Sequence, residues 1–160
     1  MMSEQNVRIE IATLDELAQL TDLVTDLMDL QDDFEANAIL HERGLRLILE
    51  DPSRGRIFVI RNDYQILGMV NTLFTVSTAL GGFVILMEDF VIHPEHRGHN
   101  YGTKLLDYLT KFAEDRDFKR ITLLADKLSA DSQKFFKSHG FKYSSLTPMR
   151  LILSATNDYD

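Results

Sequence analysis

One apolar strand that leads through a glycine-containing turn into an amphipathic helix constrains this chain more than any other stretch. Residues 83–92 form a long, strongly apolar run that ends before Pro94, which predicts a buried strand. Residues 101–116 carry apolar side chains at helical spacing, which predicts a helix with one face in the core. The turn between them contains Gly98 and Gly102.

Such a junction is a ready anion site, because the first turn of a helix has unpaired N–H groups and the positive end of its dipole. A pyrophosphate fits it, and glycines allow a close approach of the backbone. Two known phosphate-binding patterns do not match the spacing. The dinucleotide pattern G-x-G-x-x-G needs glycine where Asn100 and Thr103 stand, and the run from Gly98 to Lys104 does not fit the P-loop pattern.

The rest of the chain predicts an α/β protein of α+β type with the order β-α-α-β-β-β-α-β-α-β-β. Thr13 and Glu16 form a capping box before the first helix. No repeat or linker interrupts the order, so residues 1–160 form one domain with a core over residues 7–154 and a loose tail over residues 155–160. The remaining predicted strands are residues 7–11, 56–61, 66–76, 121–125, 141–144 and 149–154, and the remaining helices are residues 17–30, 34–50 and 129–138.

Composition excludes several classes of protein. The chain has no cysteine, which excludes a disulfide scaffold, a cysteine nucleophile and a cysteine-ligated metal. Its net charge of −8 argues against a nucleic-acid partner, which needs a basic surface. No apolar run is long enough for a membrane span, and no signal peptide is visible at the N-terminus, so we expect a cytoplasmic protein without a membrane partner.

The negative charge is concentrated near the N-terminus. Residues 9–42 contain no lysine or arginine, so the rest of the chain is nearly balanced. The segment is either a solvated helix surface or an electrostatic funnel for a cationic substrate. Its acidic residues are Glu10, Asp15, Glu16, Asp22, Asp26, Asp29, Asp32, Asp33, Glu35 and Glu42.

Residues 97–102 read RGHNYG, which resembles the pattern [RQ]-x-x-G-x-[GA] of the GCN5-related N-acetyltransferase (GNAT) family. The match holds at Arg97 and Gly102, whereas Asn100 stands where the family more often has glycine. If this position needs a positive φ, asparagine is the best non-glycine substitute. Residues 133–141, QKFFKSHGF, resemble the later A-x-x-F-Y-x-x-x-G-F pattern, and the resemblance extends in element order over residues 7–154.

The resemblance implies a mixed, mostly antiparallel sheet of six to seven strands, with helices on both faces and a splay between the fourth and fifth strands. Acetyl-CoA is then the co-substrate and lies in the splay. Its pantetheine arm pairs with the backbone of the strand end, and its pyrophosphate lies on the turn and the helix N-terminus. The cofactor-binding residues implied are Phe90, Val91, Ile92, Arg97, Gly98, His99, Asn100, Tyr101, Gly102, Thr103 and Ser129.

The implied reaction is direct attack of a primary amine on acetyl-CoA in a ternary complex, with a small cationic molecule as the acceptor. Glu88 is either the base that deprotonates the amine or a group that only orients the substrate. The family often has a tyrosine that protonates the leaving thiolate, but Phe136 occupies this position. Tyr143, Tyr101 or a water molecule remains for that role.

Several alternatives stay open. Residues 74–82 and 88–89 resemble the branch that acetylates diamines and thialysine, although residues 77–82 are also explained by a hairpin turn. A non-catalytic acyl-CoA-binding or regulatory module and a protein N-acetyltransferase remain alternative functions, and a homodimer is compatible with the family. The histidines of residues 93–99 lack a carboxylate pattern that would complete a metal site, so we expect no metal.

Overall fold

The computed structural model describes residues 6–30, 35–127 and 129–153. Its elements follow the predicted order as far as the fourth helix, and short 3-10 turns precede α1 and α3. The elements are β1 Arg8–Ile11, α1 Leu17–Asp29, α2 Ala38–Leu49, β2 Gly55–Arg61, β3 Ile66–Ser77, β4 Gly82–Ile92, α3 Tyr101–Asp115, β5 Ile121–Leu123 and α4 Ala130–Ser138.

The helix starts follow local capping signals. The predicted capping box is present, because the Thr13 N–H donates to Glu16 Oε1 at 3.0 Å. The second helix begins later than predicted, because the side chain of Asn37 accepts a hydrogen bond from the Leu40 N–H and caps the helix there. Position 34, where that helix was predicted to start, lies outside the described residues.

The sheet has the order β1-β2-β3-β4-β5. The first four strands pair antiparallel with their sequence neighbours, whereas β5 pairs parallel to β4. This confirms the predicted mixed, mostly antiparallel sheet. The parallel pairing covers only Ile85 to Met87 of β4, which continues to Ile92. β4 and β5 are therefore paired over a short stretch only, which is compatible with the predicted splay.

Helices pack on both faces of the sheet, as predicted. Ile57 and Val59 of β2 belong to the buried cluster that includes Leu20 of α1 and Leu45 of α2. Between them in sequence, Phe58 points to the opposite face, where its ring lies 4.9 Å from Phe112 of α3. Alternate residues of one strand therefore fill two separate layers of the core.

The prediction of six to seven strands is not shown, because the described residues form five and residues 141–153 contain none. This stretch was expected to supply the last two strands at residues 141–144 and 149–154. Most of its apolar side chains are exposed instead, with Leu146, Met149 and Leu151 all more than four-fifths exposed. Alternating residues favour an extended chain but do not provide the strand against which it must pair.

The chain divides into two compact units, Met1–Leu124 and Ala125–Asp160. The second unit contains α4, where Phe136 is buried against the rings of Phe135 and Phe141. The single domain over residues 1–160 stays a prediction, and its expected tail at residues 155–160 lies outside the described part of the chain. In that described part, no helix has both the length and the apolar character that crossing a bilayer requires.

Candidate active site

A β-bulge interrupts β4 where its pairing with β5 ends. Asn71 of β3 pairs with Asp89, but its neighbour Thr72 pairs with Met87. Glu88 is therefore the extra residue of the bulge, and its side chain is exposed. Bulges re-aim single side chains and occur often beside active sites. The structure thus gives Glu88, the residue expected to act as base or orienter, a distinct place in the strand.

Buried polar side chains flank this bulge. The Asn71 side-chain amide donates to Asp89 Oδ2 at 2.7 Å, and both residues are buried. Burial raises the pKa of the Asp89 carboxyl above its ordinary value, while the hydrogen bond from Asn71 lowers it. The sequence analysis assigns no site role to Asn71 or Asp89, which lie beside the bulge. The available signal was two polar residues inside otherwise apolar strands.

The turn between β4 and α3 has the geometry of an anion site. Gly98 and Asn100 adopt positive φ angles of 86° and 63°. Asn100 therefore occupies the left-handed region that makes asparagine the preferred substitute for glycine. Its carbonyl accepts the first hydrogen bond of α3, from the Lys104 N–H at 3.1 Å. The amides of residues 101–103 precede that bond, so they belong to the donors that a helix leaves without an intrahelical acceptor.

Side chains of the turn make contacts within the protein. Arg97 Nε donates to the carbonyl of Ile92 at 3.2 Å and joins the turn to the end of β4. The ring of His99 stacks on that of Tyr101 with centroids 5.4 Å apart, and Tyr101 is buried. The backbone amides of the turn are donors of the kind that bind a phosphate.

The remaining predicted residues of the first unit lie on β4 and α3. Phe90, Val91 and Ile92 form the end of β4, with Val91 in the core beneath α1 and α2. Gly102 and Thr103 lie half-buried in the first turn of α3.

Ser129 and Tyr143 belong to the second unit. Ser129 caps α4 by accepting a hydrogen bond from the Ser132 N–H at 3.2 Å. The Tyr143 hydroxyl donates to Gln133 Oε1, and the tyrosine ring is exposed with the Lys137 ammonium above it. Neither contact tests the role that the sequence predicts for these two residues.

The histidines of the turn make hydrogen bonds within the first unit. The Gln65 side-chain amide donates to His96 Nε2 at 2.7 Å, and His93 Nδ1 accepts from the Glu95 N–H at 3.1 Å. Across residues 6–30, 35–127 and 129–153, no three or more histidine, aspartate or glutamate side chains group in a way that would hold a metal ion.

Acidic side chains of the N-terminal segment lie on the solvent side of α1. Asp22, Asp26 and Asp29 are exposed there, whereas Asp32 and Asp33 fall outside the described residues. Glu16 is instead paired with Arg61 of β2. The exposed members keep both interpretations of the segment open, as a solvated surface or as a field for a cation.

Residues 17–141 match the model of the acetyltransferase (GNAT) family. No curated protein matches the chain in sequence. The fold is similar to a possible acetyltransferase from Clostridium difficile 630, with a TM-score of 0.84 and 14% identity over 94% of this chain and 99% of the other.

Two further structures share the fold. A transcriptional regulator from Bacillus halodurans C-125 has a TM-score of 0.78 and 25% identity over 92% of this chain and 99% of its own. The aminoglycoside acetyltransferase meta-AAC0020, from an uncultured soil metagenomic sample and in complex with sisomicin, has a TM-score of 0.76 and 15% identity over 94% and 99%. The family match includes the bulge, the turn and α3.

Proposed function

The chain belongs to the acetyltransferase (GNAT) family, and from this we propose that it transfers the acetyl group of acetyl-CoA to a primary amine. The match to the family over residues 17–141 is the observation that carries the proposal. Two features support the proposal. The bulge in β4 presents the exposed carboxylate of Glu88, and the turn that follows β4, with its positive φ angles, offers backbone amides to an anion.

Acetyl-CoA fits the donor set of this turn. The amides of residues 98–103 bind its pyrophosphate in our proposal, and Arg97 keeps the turn attached to the strand through the Ile92 carbonyl. The backbone of Phe90, Val91 and Ile92 pairs with the pantetheine arm, beyond the point where β5 leaves the register of β4. Binding of a polyanion through main-chain donors is compatible with a protein of net charge −8.

Glu88 accepts a proton from the bound ammonium. A free alkylamine has a pKa of about 10.4, so the acceptor arrives charged and must lose a proton before its nitrogen can attack. Acetyl-CoA supplies an activated acetyl group as a thioester. Glu88 takes the first proton of the ammonium, directly or through a water molecule, before the nitrogen bonds to the acetyl carbon and the carbon–sulfur bond breaks. The nitrogen loses a second proton as the neutral amide forms, and this proton balances the one that the CoA thiolate gains.

The leaving thiolate gains a proton from Tyr143, Tyr101 or water. Phe136 cannot supply it, because its ring has no acidic proton and is buried in the second unit. A thiol with a pKa of about 8.5 is a good leaving group even without a general acid. We therefore expect the absence of the family's tyrosine to reduce the rate only modestly.

We propose a small cationic amine as the acceptor. The exposed acids on α1 favour an ammonium over an anion through their combined field. One structure of similar fold is an aminoglycoside acetyltransferase, and aminoglycosides are amines. The proposal includes the diamine and thialysine branch, a cytoplasmic location and a homodimer.

A non-catalytic acyl-CoA-binding or regulatory module is the second candidate. The phenylalanine at position 136 favours it, because the family's tyrosine is missing there. A protein N-acetyltransferase is the third, and one solved structure of similar fold is a ribosomal-protein-alanine N-acetyltransferase from Brucella melitensis.

Release of free thiol from acetyl-CoA over a panel of diamines, aminoglycosides, amino acids and N-terminal peptides tests the proposal. We expect turnover with small cationic amines, a loss of about 100-fold or more in Glu88→Gln, and unchanged binding of acetyl-CoA in this variant. Glu95→Gln, a neighbouring exposed carboxylate on the turn, is the matched control and should keep full activity. Binding of acetyl-CoA without turnover on any amine or peptide would favour the non-catalytic module.

A further inference from the structure

We propose that Asn71 and Asp89 are positioning residues, and that their hydrogen bond holds the β4 bulge in the shape that presents Glu88 to the acceptor amine. The inference rests on the proposed function, because it concerns the residue proposed there as the base. It adds two residues that carry no assigned role, and both act through Glu88 rather than on the substrate.

Asn71 and Asp89 lie directly beside the extra residue of the bulge. Asn71 and Asp89 face each other across β3 and β4 in the last regular pair before the register shifts. Their hydrogen bond of 2.7 Å therefore joins the two strands next to the extra residue. A bulge leaves one residue outside the ladder, so the pair beside it decides how far that residue can move.

Thr72 lies on the other side of the register shift. Its hydroxyl donates to the Arg56 carbonyl at 2.7 Å and accepts from the Arg56 N–H at 3.2 Å. These bonds fix β3 to β2 at the residue where β3 departs from regular pairing with β4. Together with the Asn71–Asp89 bond, they fasten the bulge to both neighbouring strands.

Burial of this polar pair carries a free-energy cost. Asn71 is 4% exposed and Asp89 7% exposed, in a sheet core that is otherwise mostly apolar. Burial disfavours the charged form of Asp89, and Asn71 Oδ1 is buried without a hydrogen-bond partner among the described residues. Replacement of a buried polar pair by apolar residues of similar volume is often neutral or stabilising. A pair of this kind is therefore better explained by the geometry that it imposes than by the stability that it adds.

A double-mutant cycle tests the inference. Asn71→Leu removes the hydrogen bond at similar volume, and we expect its kcat to fall by about 100-fold, the loss typical of a catalytic group displaced by about 1 Å. The KM for acetyl-CoA should stay within about threefold of the wild type, since the turn is untouched. If Asn71 acts through Glu88, the double variant with Glu88→Gln should be no slower than Glu88→Gln alone. Losses that multiply in the double variant would overturn the positioning role.

Two further variants separate positioning from general damage to the fold. Asp89→Asn keeps an acceptor for the Asn71 amide, so we expect it to retain most of the activity that Asp89→Leu loses. Ser77→Ala removes a side-chain hydrogen bond, accepted from the Leu80 N–H, at the far end of β3. It should lower the melting temperature without a change in kcat. Asn71→Ala replaces Asn71→Leu in the cycle if the latter does not fold, and its kcat should fall in the same way.

Amide hydrogen exchange gives a result that requires no substrate. We expect the amides of residues 87–89 to exchange at least tenfold faster in Asn71→Leu than in the wild type. The same increase is expected in Asn71→Ala if it replaces that variant, and no change is expected in Ser77→Ala. Unchanged exchange at the bulge would overturn the inference even if the enzyme is active. If the wild type acetylates no amine, the proposed function fails, and the exchange rates still decide whether Asn71 holds the bulge. If Glu88→Gln is impaired and Asn71→Leu is not, the positioning role alone fails.

Discussion

The bulge in β4 is held by side chains, whereas the turn before α3 is held by its backbone. At the bulge, Asn71 and Thr72 fasten β3 to both neighbouring strands with side-chain hydrogen bonds. In the turn, Gly98 and Asn100 adopt left-handed φ angles, and the Asn100 side chain makes no capping bond. We therefore expect the bulge to be sensitive to side-chain chemistry and packing, and the turn to be sensitive to whether a residue tolerates positive φ.

The largest expected effect on stability comes from the packing around Thr72. A Cβ at Gly55 would lie 1.9 Å from the Thr72 carbonyl oxygen, so Gly55→Ala must push the β2 and β3 backbones apart. We expect the free energy of unfolding to fall by about 3 kcal/mol, the upper end of the range for overpacked cores. Chemical denaturation measures it.

Gly44→Ala is the matched control for Gly55→Ala. Gly44 lies in α2, and a methyl group added there would have no atom within 4 Å. Alanine should therefore raise stability by about 0.5–1 kcal/mol through its better helix propensity. Equal stability of Gly55→Ala and the wild type would show that the strands near the bulge are not tightly packed.

Gly98→Ala tests the turn through its backbone alone. A methyl group at Gly98 has no atom within 4 Å beyond those of its own residue and its chain neighbours, so its main cost is the positive φ of 86°, about 1–2 kcal/mol for an L-residue. We expect this strain to weaken the binding of acetyl-CoA by about tenfold, measured by calorimetry, because the amides would leave their binding geometry. Gly81→Ala, with a φ of 70° and equal space in the β3–β4 hairpin, should lose stability but not acetyl-CoA affinity.

The pH dependence of stability probes the bulge through Asp89. Burial raises the pKa of Asp89 above its ordinary value of 3.8, so the folded protein holds this proton more tightly than the unfolded chain. The resulting stabilisation is present at low pH and is lost as the pH rises through the folded-state pKa. Asp89→Asn cannot show this loss, so its stability relative to the wild type should increase with pH above about 3.8. Urea denaturation over a pH series measures the difference, and parallel curves would contradict it.

The smallest effect should come from Asn100. Asn100→Gly removes the residual cost of a positive φ but adds freedom to the unfolded chain, so stability should change by no more than about 0.5 kcal/mol. Asn100→Ala should lose about 1 kcal/mol, because alanine has no side-chain group that favours the left-handed region. Thermal melts of both variants measure this, and equal melting temperatures would mean that backbone conformation does not control the turn.

The sequence predicts features that depend on neighbours along the chain. The capping box of Thr13 and Glu16 and the strand ending before Pro94 follow from local stereochemistry. The sequence raised the positive φ of Asn100 only as a condition, because the resembling family more often has glycine at this position, and the structure has that φ. The bulge could not be found in this way, because an extra residue in β4 exists only relative to its partners in β3. Asn71 and Asp89 are visible in the sequence as polar residues within apolar strands, but only the strand register shows that they face each other.

The last predicted strands have the same limitation. Residues 141–153 alternate well enough to favour an extended chain, but a strand also needs a partner with unpaired backbone groups. Phe136 illustrates the opposite case, because the sequence alone shows that it cannot donate a proton. Its burial in the second unit adds only where the ring lies.

The register shift at Glu88 also has a consequence for how the length of this chain can change. Ile85 lies opposite Phe74, whose ring packs against Phe112 of α3, whereas Val91 belongs to the cluster beneath α1 and α2. Without the extra residue, two positions an even number apart would share one face of the sheet. A deletion at position 88 would therefore move the side chains of half of β4 to the opposite face of the sheet, whereas a substitution there leaves the core intact. We expect natural variation at this site to replace residues and never to add or remove one.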